Sequence, residues 1–249
     1  MSRHAALLLA LLSVLRAQTP LENNGKPMRV VYECSAEATL AAGLGCSEDD
    51  PCPVYLELEN VEPVGRKIFV TGNLHTPMAT LDSILLASDD GGNTWTEPHP
   101  RTRSTGLDQI QFIDFQNGWI SGANLQGAPR DPFLLITTDG GKTWNERPIF
   151  DETRVAAIER FSFDSPEHGM LLIDARLDNG NHELYETQNG GANWASAAPN
   201  RFPKEKLGAG LGWRLRTDAA THSYVIEKSE NNRWQKVASF LVTVATCKE

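Results

Sequence analysis

The chain has no run of apolar residues after position 15 long enough to cross a bilayer. It has no CxxC pair, and no histidine stands at ligand spacing from its four cysteines, which removes the usual zinc patterns. It lacks a basic excess: 23 Lys and Arg face 32 Asp and Glu, a formal net charge of −9. A field of that sign repels nucleic acid and anionic membrane surfaces, so neither is an expected partner and no stable membrane insertion is expected. Tyrosine is scarce, with four in 249 residues.

What is present begins with Met1-Ser2-Arg3-His4, followed by an apolar stretch from Ala5 to Leu15 and then Ala17. A basic start, a short apolar core and a small residue predict a secretory signal peptide over 1–17, cleaved after Ala17. Loss of Arg3 and Arg16 would make the mature chain more acidic still. No cysteine follows the leader closely enough to suggest a lipid anchor. The expected product is secreted or periplasmic, where cysteines pair. Cys34, Cys46, Cys52 and Cys247 allow three connectivities. Cys46 and Cys52 flank a short acidic loop, which favours their pairing and leaves Cys34 with Cys247.

Self-similarity organises the remainder. The stretch SDDGGNTW at 88–95 returns as TTDGGKTW at 137–144 and TQNGGANW at 187–194. Their tryptophans, Trp95, Trp144 and Trp194, are 49 and 50 positions apart, and a weak fourth copy ends at Trp234. Ahead of each box run strand-like segments, among them KIFVTGN (67–73), GWISGAN (118–124), GMLLIDA (169–175) and GWRLRTD (212–218). Alternation and β-branched or aromatic enrichment mark them as strands. Units of about 50 residues with four short antiparallel strands predict an all-β fold, a small β-propeller. Four blades fit the length, or five with one irregular unit. The expected organisation is a leader (1–17), an N-terminal extension carrying a closing strand and a disulfide loop (18–53), and the propeller (54–249). RVVYEC (29–34) is expected to close the ring by pairing near FLVTVATC (240–247).

The box residues suit a turn. Glycines at positions such as Gly92, Gly141 and Gly191 tolerate φ > 0. Asp90 and Asp139 can cap backbone N–H groups, and Asn189 can largely replace them in that role. A catalytic carboxylate or calcium ligand would lose its purpose as Asn, so the expected role is structural. The oxygen cage that calcium requires is not visible locally. The pattern over Ser88, Asp90, Gly92, Thr94 and Trp95, repeated at Thr137, Asp139, Gly141, Thr143 and Trp144, resembles the Asp-box repeat. Thr187, Asn189, Gly191 and Trp194 form a degenerate third copy. The Asp-box occurs in sialidases, sortilin-type receptors and the photosystem II assembly and stability factor family. The phrase Gly118-Trp119-Ile120-Ser121-Gly122 followed by a box is similar to the repeat of the last. That resemblance implies a non-enzymatic propeller that binds proteins.

If the boxes are structural, function is expected on loops joining the second and third strands of each unit, at 74–82, 125–131, 176–182 and 218–222. Candidate binding residues there are His75, Arg130, Asp131, Arg176, Asp178, His182 and His222. His182 and His222 fall at equivalent positions, where the other units carry Ser83 and Pro132. The expected function is an exported, non-catalytic module binding a protein or glycan, with no cofactor and no metal. The alternative is a sialidase-like glycoside hydrolase or a lectin-like domain. Sialidase chemistry needs an arginine cluster, a tyrosine with a carboxylate helper and an acid on six blades, and this chain lacks the length.

Overall fold

The fold is known from a computed structural model, which describes residues 19–198 and 212–248. The expected leader lies outside the described residues. The chain enters with β1 (Leu21–Glu22) and the short helix α1 (Ala36–Ala41), whose N-cap Ser35 accepts from the Ala38 N–H. A first sheet follows as β2 (Cys52–Val64), β3 (Lys67–His75) and β4 (Thr80–Ser88), with the short β5 (Thr94–Trp95) bridged to β4 at Ala87 and Thr96. The second is β6 (Thr105–Phe112), β7 (Gly118–Asn124), β8 (Arg130–Thr137) and β9 (Asn145–Pro148). The third is β10 (Ala157–Phe163), β11 (Gly169–Ala175), β12 (Asn181–Thr187) and β13 (Ala195–Ser196), with one turn of helix, α2 (Arg176–Asn179), between its second and third strands. The fourth is β14 (Trp213–Asp218), β15 (Ser223–Glu230) and β16 (Arg233–Leu241), after which β17 (Thr243–Cys247) returns to pair with β2.

Each sheet is an antiparallel meander in chain order, and apolar clusters lie between sheets. One combines Leu56, Val70, Ile84 and Trp95 of the first sheet with Ile226, Ala238 and Phe240 of the fourth. A second places Phe69 and Leu85 of the first sheet with Phe112, Ile120 and Trp144 of the second. A third joins Trp119 and Leu134 of the second to Phe161, Phe163 and Leu171 of the third. Aromatic contacts reinforce the seams: Phe69 stacks on Phe112 at 4.9 Å, and Trp119 on Phe163 at 3.9 Å. Meanders packed face to face along the chain are the construction of a β-propeller.

Polar tethers fix the inner strands relative to one another. Gln111 donates to the Phe163 carbonyl and accepts from the Phe163 N–H, both at 2.9 Å. Glu62, 2% exposed, accepts the Phe112 N–H at 3.1 Å. Both are buried polar groups whose hydrogen bonds cross a seam, which gives the sheets a fixed stagger.

Closure between the fourth and first sheets differs from the expected pairing of 29–34 with 240–247. β17 pairs instead with the start of β2, Cys247 opposite Cys52. Because β2 occupies that edge, the 29–34 segment is held by side chains, with Arg29 donating to the Thr243 and Val244 carbonyls. The strand-like contact falls earlier: Met28 forms a parallel bridge with Phe240, and β1 pairs with β5. Asn23 spans the seam, donating to the carbonyls of Gly92 and Val237. Disulfides Cys34–Cys247 and Cys46–Cys52 secure both ends of this strap.

Candidate functional site

The two ends of the sheets differ in what they leave available. At one end lie the box turns. Asp90 Oδ1 accepts from the Ser88 hydroxyl at 2.8 Å and from the N–H groups of Asn93 and Thr94 at 2.9 Å, while Oδ2 accepts from the Thr94 hydroxyl at 2.8 Å. Asp139 repeats the set with Thr137, Lys142 and Thr143. In the third turn Asn189 Oδ1 accepts from Thr187 and from the Asn193 N–H. There the second carboxylate oxygen and the threonine that would donate to it are both absent. These bonds hold the Asp90 and Asp139 carboxyls down at about 2, through the Thr94 N–H first for Asp90 and the Thr143 hydroxyl first for Asp139.

The paired glycines are needed for conformation and for contact. Gly140 and Gly141 have φ of 73° and 79°, and a side chain on Gly141 would strike the Phe69 ring of the first sheet. Trp95 and Trp144 are buried, and Trp194 packs against Phe163. The fourth copy departs from the expected box. Glu230 and Arg233 pair across a tight hairpin in which Asn231 and Asn232 take φ of 51° and 60°. Trp234 is 44% exposed, with the Arg214 guanidinium 4.1 Å from its ring. Without the aspartate cap and paired glycines, the shorter turn leaves its tryptophan outside the core.

At the opposite end, Arg154 gathers several predicted residues. It donates to Asp178 at 2.9 Å and to both Glu183 oxygens at 2.8 and 2.6 Å, with the Phe150 ring 4.7 Å away. Its backbone N–H is accepted by Asp131, which has φ of 50°. Arg154 holds the Glu183 carboxyl at about 2. Arg176 forks onto Asp174 at 2.9 and 2.7 Å, and His182 meets Glu159 at 2.9 Å. His75 lies at the end of β3 with its ring 5.7 Å from that of Tyr55, and Arg130 opens β8 opposite Asn124. His222 precedes β15 with φ of 45°, its carbonyl accepting from the Val242 N–H. Thus Asp131 and Asp178 converge through Arg154. Arg176 and His182 share the charge of Asp174. His75 and His222 belong to other sheets. Among the described residues, no group of three or more His, Cys, Asp or Glu side chains is placed to hold a metal ion.

The inner strands add three acids. β2, β6 and β10 each carry an irregularity, between Leu58 and Asn60, Leu107 and Ile110, and Ile158 and Arg160. Glu59, Asp108 and Glu159 occupy them and are exposed. A bulge re-aims side chains relative to the alternating pattern, and neighbouring sheets hold these bulges in place. The Leu58 N–H donates to the Tyr224 hydroxyl, the Thr71 hydroxyl to the Asp108 carbonyl, and Gln109 to the Glu159 carbonyl at 2.6 Å. Burial first, then the charges of Glu57 and Asp108, raise the Glu59 carboxyl above its ordinary value. A cavity of about 250 Å³ opens beside Glu59 and Asp108, walled by Leu107, Leu125 and Ile158. A second, of about 420 Å³, shares Leu125 and includes Glu57, His75 and the exposed Met78. These acids recur 36, 36 and 35 positions ahead of Trp95, Trp144 and Trp194, a period present in the sequence.

A further cavity, about 610 Å³, lies under the N-terminal strap between Tyr32, Trp95 and the Glu97–Arg101 ion pair.

No family model matches the chain, and no curated protein matches it. Among solved structures it is similar to YCF48 bound to D1 peptide, at 17% identity and a TM-score of 0.42, covering 74% of this chain and 56% of that one. YCF48 from Cyanidioschyzon merolae follows at 14% identity and a TM-score of 0.39, covering 74% and 57%. A GH74 xyloglucanase from Xanthomonas campestris is similar at 15% identity and a TM-score of 0.41, over 67% of this chain and 26% of that one. The chain therefore spans little more than half the length of the YCF48 chains.

Proposed function

We propose that the chain is an exported β-propeller of four blades, three of them carrying Asp-box turns, that acts as a non-catalytic interaction module for a protein or glycan. Its binding surface is the face opposite the box turns. The observation that carries this reading is the contrast between the two ends. The caps of the box turns are engaged within each turn, whereas the loop end combines exposed charges, two adjoining cavities and the exposed apolar Met78. Loops on a rigid sheet scaffold are where recognition residues are commonly placed. Two disulfides suit an oxidising compartment. No helix among the described residues is long and apolar enough to cross a membrane.

The hydrolase alternative has one arrangement to recommend it. The Tyr185 hydroxyl donates to Glu183 at 2.7 Å beside Arg154, a tyrosine with a carboxylate and a guanidinium. Burial raises the Tyr185 phenol, and Arg154 already engages both Glu183 oxygens, so the pair is poorly set to generate a nucleophile.

The test is binding and hydrolysis on the same preparation. A partner recovered from native extract should lose affinity on charge reversal at Arg176 or Met78→Glu, and keep it on Lys142→Glu in a box turn. Hydrolysis of sialosides or xyloglucan that depends on Tyr185 would overturn the non-catalytic reading.

A further inference from the structure

The cavity between the inner strands of the first and second sheets has a chemical character that restricts its occupant. Glu59 and Asp108 stand on its wall, and no Lys, Arg or His side chain lines it. Glu59 has no ion-pair partner among the described residues. The protein around it and the charges of Glu57 and Asp108 already disfavour its ionised form.

A second feature is independent of those charges. Asn73 also lines the cavity and is 5% exposed. Its Nδ2 donates to Glu57 Oε2 at 3.1 Å, which fixes the amide orientation, since the opposite one would set oxygen against carboxylate. Asn73 Oδ1 is then a buried acceptor, and it has no hydrogen-bond partner. Leaving such a group unsatisfied is destabilising. The remaining lining is apolar or small, with Leu107, Leu125, Ile158 and Pro129 beside Gly106 and Gly122.

Apolar walls suit a methylene stem, and two carboxylates with a buried acceptor suit a cationic, donor-only head. An anion would be repelled. A neutral apolar group would leave Asn73 unsatisfied. A bare divalent cation would lack the six or more oxygens that calcium takes.

We propose that this cavity takes a single cationic side chain, lysine or arginine, presented by a partner polypeptide. The net charge of −9 favours approach of such a partner. The inference rests on the interaction-module reading and narrows its partner to a polypeptide with an accessible basic residue.

The test uses the full chain, isotopically labelled, titrated with the capped peptides Gly-Gly-Lys-Gly-Gly and Gly-Gly-Arg-Gly-Gly. Controls replace the central residue with Nε-acetyl-lysine or norleucine. The expected result is saturable shifts at the Asn73 side-chain amide and at the amides of residues 106–108. Affinity for the lysine or arginine peptide should fall by about tenfold or more in Glu59→Gln and Asp108→Asn, and stay unchanged in Asp89→Asn on the box face. Equal shifts from the acetyl-lysine or norleucine peptide would overturn the proposal, as would undiminished binding in folded Glu59→Gln. If a variant fails to fold, the acetyl-lysine comparison decides alone. A recovered partner that binds the loop face with equal affinity after Glu59→Gln would sink this proposal and leave the interaction module standing. A partner insensitive to every loop-face change would sink the module.

Discussion

Asp139 and Thr143 are joined twice, the Thr143 N–H donating to Oδ1 at 3.0 Å and its hydroxyl to Oδ2 at 2.6 Å. Asp90 and Thr94 repeat the relationship one sheet earlier. The carboxylate satisfies N–H groups that a turn of positive-φ glycines leaves without strand partners. Both carboxyls titrate at about 2, against an ordinary 3.8. A folded value below the unfolded one contributes stability that is complete above the unfolded value and is lost as pH falls through the folded one. Acid unfolding should therefore steepen between about pH 4 and pH 2. The double variant Asp90→Asn/Asp139→Asn should flatten that slope, as read by urea unfolding at several pH values. An unchanged slope would mean that other carboxylates dominate.

The tryptophans of the repeat should not be equivalent. Trp144 is 7% exposed and meets Phe69 and Phe112 edge-on, at 6.1 and 5.8 Å. Trp144→Ala should cost about 3–5 kcal/mol through lost burial and a cavity at the seam. Trp234→Ala should cost about 1 kcal/mol or less, since that ring is covered mainly by Arg214. Chemical denaturation of the two variants measures the difference, and equal losses would contradict the fourth turn as described.

The two disulfides close loops of very different size, with sequence separations of 213 and 6. On the chain-entropy view, removing Cys34–Cys247 should cost about 5 kcal/mol and removing Cys46–Cys52 about 2 kcal/mol. Paired serine replacements followed by thermal melts test the order. The longer loop also holds the N-terminal strap that joins the first and fourth sheets, so its loss should expose 28–34 to proteolysis first.

Most strands were legible in the sequence because alternation and the box period report the same units. β7 and β11 fall where their apolar runs begin and end, and both disulfides match the favoured pairing. The closing contact was not legible, because which edge β17 joins depends on the Cys46–Cys52 loop delivering β2 beside it. Trp234 was misleading for a local reason: a tryptophan at nearly the right spacing does not bury itself without the aspartate and glycines that shape the turn. The bulge acids were hidden because Glu59, Asp108 and Glu159 sit where the period-2 pattern breaks, so reading strands by alternation cuts each segment there. Their nearly constant offset from the box tryptophans was the available signal. Arg154 carried no signal, since the loop between β9 and β10 repeats nothing from the other units.

That hidden position yields a prediction on the unliganded protein. Glu59 is held above its ordinary value of 4.5 by burial and by the charges of Glu57 and Asp108. A carboxyl whose folded value is raised favours the folded state while protonated and penalises it once ionised, so at pH 7 the penalty is fully present. Glu59→Gln removes the charge at nearly constant volume and should raise the melting temperature at pH 7. The gain should be small, about 0.5 kcal/mol or less, because Glu59 is only partly desolvated and its repulsion is screened by solvent. The advantage should shrink as pH falls below the titration of Glu59 and the wild type becomes neutral at the same position. Melting curves for both proteins at pH 7 and pH 4 would show it. A variant less stable than wild type at pH 7 would mean that Glu59 makes a favourable contact in the folded chain, and the crowding of negative charge at the inner strands would have to be abandoned.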